Sequence, residues 1–187
     1  MDALELLLKR VSVPRLQEPA PTAEQLEVML RAAMRAPDHG QIKPWRFITI
    51  SGDDRYLLGE LFVQGLLAAE PEASTEKIEK IRNCPLRAPM LLVVVASICE
   101  HPTVPAHEQL LAAGCAAHAI LYAAHAQGVG AVWRTGALAE CPVIKAGLGL
   151  EDNEQLIAYM YLGTPINSLR KAPEVDPTDF LSTWPAR

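Results

Sequence analysis

The sequence predicts a mixed domain in which helices alternate with strands around one central sheet, and three observations carry that reading. Met90-Leu91-Leu92-Val93-Val94-Val95-Ala96 is an uninterrupted, valine-rich apolar run, the pattern of a central strand covered on both faces. Residues 107–127 hold Glu108 as their only formally charged side chain, so this segment reads as a helix buried on all sides. Around these two, helix-period and strand-like segments take turns along 187 residues, enough for one substantial core and too few for two ordinary domains.

Composition narrows the function. Half the residues are hydrophobic and 21% are charged, which describes a globular chain. A net charge of -5 argues against a general nucleic-acid binder, although a local basic pocket stays open. Cys84, Cys99, Cys115 and Cys141 are far apart and form no Cys-x-x-Cys pair, so they are expected to be buried, reduced thiols. Asp2 and Glu5 interrupt any signal-peptide pattern, and the cytoplasm is the expected compartment.

Taken in order, Asp2 caps a short helix to about Lys9, with Leu4, Leu7 and Leu8 on one face. Residues 11–21 carry three prolines and no helical period, an extended connection that leaves Arg10, Ser12 and Arg15 free for contacts; for Arg15 alone, solvated surface is the simpler reading. Thr22 and Gln25 fit a capping box, after which Leu26, Met29, Leu30 and Ala33 follow helical spacing until Pro37. Residues 46–51 read as a strand, Asp53 opens a helix to about Glu70, and Ser74 caps a peripheral one to about Asn83. Beyond the long apolar helix, Gly128 is the stop, Ala131-Val132-Trp133 starts a third strand, Pro142 initiates a short helix, and 155–162 is a fourth strand. From Pro165 the chain becomes a proline-punctuated tail expected to lie along the surface.

The long helix also predicts an assembly. A 20.4 kDa monomer has little interior for such a segment, so a homodimer interface explains it better than a membrane, which Gln109, His118 and His125 disfavour.

Several chemistries are unsupported. Gly128-Val129-Gly130 lies between a helix and a strand, the reverse of a Rossmann fingerprint, and no P-loop motif occurs. His118 and His125 are seven apart on one helix, not a chelating spacing, and no metal is expected. No nucleophile elbow or triad is visible. What does stand out is Arg35-Ala36-Pro37-Asp38-His39-Gly40-Gln41-Ile42-Lys43-Pro44-Trp45, a loop between two rigid elements that presents cationic and titratable side chains. Arg35 alone could serve only to complement its helix's dipole, and Trp45 reads as a packing anchor.

That loop, with Arg10-Val11-Ser12 before it and Gly130-Ala131-Val132-Trp133-Arg134-Thr135 after it, resembles the FMN-dependent nitroreductase family, in its short bacterial NAD(P)H nitroreductase branch. The opening Met1-Asp2-Ala3-Leu4-Glu5-Leu6-Leu7 and the run Met34-Arg35-Ala36-Pro37-Asp38-His39 match that branch, and the likeness extends to Leu162-Gly163-Thr164-Pro165. The resemblance implies an α+β sandwich with a mostly antiparallel sheet over one domain, 1–187, dimerised through helices, with the tail 165–187 reaching the partner.

It further implies that FMN is contacted by Arg10, Val11, Ser12, Trp133, Arg134 and Thr135. Arg10 and Arg134 would neutralise the phosphate, whose oxygens suit a guanidinium fork, and Ser12 would add a hydroxyl donor. Val11 stands where the branch usually has a second arginine and would contribute its backbone N–H. Arg35 and His39 would reach FMN from the other subunit. NAD(P)H would lie against Ala123, Ala124, His125, Ala126, Gln127 and Gly128. The implied activity passes electrons from NAD(P)H through FMN to a nitro compound, quinone or similar electrophile. Two other readings stay open: a flavin carrier, sensor or flavin-modifying protein without NAD(P)H turnover, and a non-catalytic dimeric scaffold.

Overall fold

Residues 2–185 are described by a computed structural model, and Met1, Ala186 and Arg187 of the expected domain lie outside them. The predicted caps form. Asp2 accepts from the Glu5 N–H at the head of α1 (Ala3–Lys9), Thr22 and Gln25 close a capping box on α2 (Ala23–Ala33), and Ser74 caps α4 (Thr75–Arg82). A minimal strand, β1 (Leu16–Gln17), interrupts the extended connection between α1 and α2.

The sheet contains β1, β2 (Trp45–Ser51), β3 (Met90–Ser97), β4 (Gly130–Arg134) and β5 (Glu154–Pro165). Its order is β1-β5-β3-β2, with β4 also on β5, and every pairing is antiparallel. The valine-rich run is central: Leu91 to Ala96 have no exposed surface. Alternation then divides the core in two. Leu92, Val94 and Ala96 face α2 and α5 (Ala106–Ala126), while Leu91, Val93 and Val95 face α3 (Asp54–Ala69), α6 (Ala137–Glu140) and α7 (Pro142–Gly147). The chain is therefore an α+β layered sheet, as the resemblance implies.

Two expectations need correction. In the single chain α5 is not buried on all sides: Ala113, Ala116, Ala117 and Ile120 are fully buried, whereas His107, Leu111, Cys115 and His118 form an exposed stripe, with Leu111 66% exposed. The cysteines are not buried either. Cys99 and Cys115 are exposed and Cys84 and Cys141 half-buried, because each lies at an element's edge or on a solvent-facing stripe. The tail runs along the surface, but its apolar side chains are prominent, with Phe180 82% and Trp184 92% exposed.

Candidate functional site

At the C-terminal end of α5, three polar atoms are buried without hydrogen-bond partners. Helix α1 ends at Arg10, whose backbone turns extended (φ -59, ψ 131) and carries the chain alongside β4, where the Val13 N–H donates to the Ala131 carbonyl at 2.9 Å. Gly130 permits this approach, since a Cβ there would lie 2.5 Å from Leu16. Arg10 is thereby set over the Tyr122 ring, 5.7 Å from its centroid, and beside His125. Arg10 Nε and Nη1 and His125 Nε2 are the unpartnered atoms, and both residues line one cavity of about 20 Å³ with Leu121, Gly128 and Val129. Burial, and then the Arg10 charge, lowers the His125 pKa, so its imidazole is neutral at neutral pH. Two guanidinium donors and one ring nitrogen thus await an oxygen-bearing group.

Arg134 does not join this cluster. Along β4, Ala131 and Trp133 pack toward α5, whereas Val132 packs into the opposite core, and Arg134 follows Val132. Its guanidinium lies 5.6 Å from the ring centroid of Tyr161, a hydroxyl pushed up to about 12 by burial, and its Nε is also buried and unpartnered. Arg10 therefore lies on the α5 side of β4 and Arg134 on the side of Val132 and Tyr161. Trp133 is half-buried and Thr135 exposed at the strand's end.

The second cluster belongs to the loop after α2. His39 Nδ1 lies 2.7 Å from Glu108 Oε2 at the N-terminal end of α5, and Arg35 is exposed. Glu108 and Tyr122 are 14 residues apart on that helix, about 21 Å. One chain cannot bring His39 to Arg10. Trp45 is core, 9% exposed, as its reading as an anchor requires.

The stretch expected for NAD(P)H divides sharply. Ala124 is fully buried and its carbonyl accepts from Val129 and Gln127, while the Gln127 amide donates to the carbonyls of Gln25 at 3.2 Å and Ala123 at 3.0 Å. Gln127, half-buried, thus ties α5 to α2, and Ala124 has no exposed side-chain surface for a ring. Ala123 and His125 are half-buried; Ala126 and Gly128 are exposed, the latter in the left-handed conformation (φ 73) that ends the helix.

Sequence reasoning missed the basic residues of the tail. Arg170 and Lys171 line a cavity of about 580 Å³ with Lys9 and His125. Arg170 also lines one of about 70 Å³ with Ser12 and Arg15, both exposed. The signal available was an adjacent Arg-Lys pair following the Gly163-Thr164-Pro165 turn.

The nitroreductase family model matches residues 7–164, from α1 to the last turn of β5. The chain belongs to the nitroreductase family. This family member is 46% identical over 183 residues to YdjA of Escherichia coli (strain K12), provisionally named an NAD(P)H nitroreductase, with 97% of this chain and 99% of that one covered. Among solved structures, a nitroreductase-like family protein from Bacillus cereus superposes with a TM-score of 0.83 at 20% identity, covering 100% of this chain and 97% of the other. A provisionally named nitroreductase from Desulfovibrio desulfuricans, solved in complex with FMN, gives 0.72 at 22% identity over 98% and 97% of the two chains. The nitroreductase match includes the Arg10 and Arg134 clusters and leaves Arg170 and Lys171 beyond its end.

Proposed function

We propose that this chain is an FMN-dependent oxidoreductase that passes electrons from NAD(P)H to a nitro compound, quinone or similar flat electrophile. The observation that carries the reading is the buried, unpartnered trio Arg10 Nε, Arg10 Nη1 and His125 Nε2. Buried polar atoms of this kind cost free energy unless a partner meets them, and a phosphate oxygen would meet the two guanidinium donors. The residues present fit the group: Arg10, Ser12 and the Val11 N–H would hold the phosphate, Arg170 and Lys171 would add charge around it, and Arg134 with Trp133 and Thr135 would serve another part of the flavin across β4. When bound, FMN supplies the redox chemistry. The chain's own task is to bind and orient, which suits a site without an evident acid or base.

The reading includes a homodimer in the cytoplasm. The exposed α5 stripe around Leu111 supports it, as do the roughly 21 Å of helix between Glu108 and Tyr122, which anchor the two clusters. If two α5 helices pack antiparallel, Arg35 and His39 of one copy approach the Arg10 end of the other.

One observation favours a second reading, a flavin-binding protein without NAD(P)H turnover: Ala124 is fully buried and the Gln127 amide is already bonded to the Gln25 carbonyl of α2. Anaerobic mixing of the FMN-loaded protein with NADH, then NADPH, separates the two. Bleaching of the flavin's visible absorbance with either supports the oxidoreductase, and persistent yellow colour removes it in favour of the binder.

A further inference from the structure

The loop between α2 and β2 holds its shape against local preference. Gln41 and Lys43 both have φ of 54, next to Gly40 at 72, and left-handed backbone is disfavoured for residues with side chains. The Asp38 carboxylate accepts from the Lys43 backbone N–H at 2.6 Å, and the Trp45 N–H closes on the Lys43 carbonyl at 2.7 Å. These bonds fix where the Lys43 side chain starts. The loop borders an open cleft of about 290 Å³ whose lining includes Arg35, Lys43, Asp38, Met34 and Trp45. Neither Arg35 nor Lys43 is in an ion pair among the described residues, and the lysine's Nζ has only a 3.4 Å contact with the Gln41 carbonyl.

We propose that this cleft is a subsite for a small carboxylate-bearing electrophile, its carboxylate held by Lys43 and Arg35 and its body against Met34 and Trp45. Charge and size select this class. Two cations against one carboxylate leave the lining positive by one charge, and the volume lies at the low end of small-ligand sites, enough for a single ring and too little for a dinucleotide. Asp38 is spent on the Lys43 N–H but still opposes an anion, which makes the two charges separable by mutation. That the occupant is an electron acceptor rests on the flavin reading above, because Arg35 is there proposed to reach the flavin. That it is a small organic carboxylate does not.

The test is calorimetric titration of the protein with 4-nitrobenzoate and with uncharged nitrobenzene, in wild type, K43Q, K43R and D38N. Asn retains an oxygen for the Lys43 N–H, and Arg retains the charge at 43. The subsite predicts that K43Q weakens 4-nitrobenzoate about tenfold or more, K43R keeps most of the affinity, and D38N tightens it, with nitrobenzene little changed throughout. Equal 4-nitrobenzoate affinity in wild type, K43Q and D38N, or no binding to wild type, overturns it. Flavin bleaching by NADH or NADPH is read separately, so a protein that binds 4-nitrobenzoate through Lys43 without reducing its flavin would sink the electron-acceptor role and leave the carboxylate site.

Discussion

Arg46 grips both carboxylate oxygens of Glu154, Nε to Oε1 and Nη2 to Oε2, each at 2.6 Å. Ser97 Oγ and the Glu151 N–H also donate to the same carboxylate, whose side chain is 6% exposed. The pair joins the start of β2 to the start of β5 immediately behind the candidate loop. Removing the arginine strands a buried charge, which costs about 3–5 kcal/mol for a fully enclosed pair. Arg46 is 38% exposed, so water replaces part of what is lost and we expect Arg46→Met to cost about 2 kcal/mol in urea unfolding at neutral pH. Arg46→Met with Glu154→Gln should recover part of it. A single-variant loss below about 0.5 kcal/mol would mean that the pair orients the loop without stabilising the fold.

The same pair sets an acid limit. Arg46's hydrogen bonds, and secondarily Ser97's, hold the Glu154 pKa down to about 2 from an ordinary 4.5. A depressed carboxylate contributes its stability above the ordinary value and loses it as pH falls from there toward 2. The stability gap between wild type and Arg46→Met should therefore narrow between pH 5 and pH 3. A gap that stays constant over that range contradicts the assignment.

Leu111 offers a test of assembly that leaves the chain's own core alone. At 66% exposure it contributes little to the isolated fold, and Leu111→Lys should leave the monomer's secondary structure unchanged. Placed in an interface, the same lysine is a desolvated, unpaired charge. Light scattering should give wild type twice the 20.4 kDa chain mass at micromolar concentration and shift the variant toward one chain mass, with FMN lost in parallel. A wild type that stays at one chain mass removes the cross-subunit role of Arg35 and His39.

What was legible in the sequence is what depends on neighbours along the chain. The Asp2, Thr22 and Ser74 caps, the Gly128 stop and the fully buried run after Met90 follow from side-chain chemistry within a few residues. Arg46 and Glu154 are 108 residues apart, and nothing in either segment announces the other. Facing was lost for a similar reason. Arg10 and Arg134 read as equivalent cations until the alternation of β4, fixed only by its pairing with β5, turned them to opposite sides. Solvent exposure of Leu111 and Cys115 was hidden because an alanine-rich helix shows almost no polar face from which to orient it. Arg170 was overlooked because the tail has no period, and its closeness to Ser12 is a property of the folded surface.

His125 supplies the last prediction. Its pKa is lowered by burial and then by Arg10, so on acidification the unfolded chain takes up a proton near the ordinary value of 6.5 that the folded chain resists. Stability therefore falls as pH drops through that value, by at most about 1.4 kcal/mol per pH unit and by less here because the ring is partly wet. Arg10 is the charged group beside it, and Lys9, Arg170 and Lys171 share its neighbouring cavity, so no carboxylate on that side offsets the effect except Glu174 at the tail. A phosphate on Arg10 reverses the balance by favouring the imidazolium. The thermal midpoint of the flavin-free protein should drop more steeply from pH 7.5 to 5.5 in wild type than in His125→Gln, and saturating FMN should flatten the wild-type slope. Parallel slopes for the two proteins, with and without FMN, would put His125 outside the phosphate's reach and leave Arg10 to hold it with Ser12 alone.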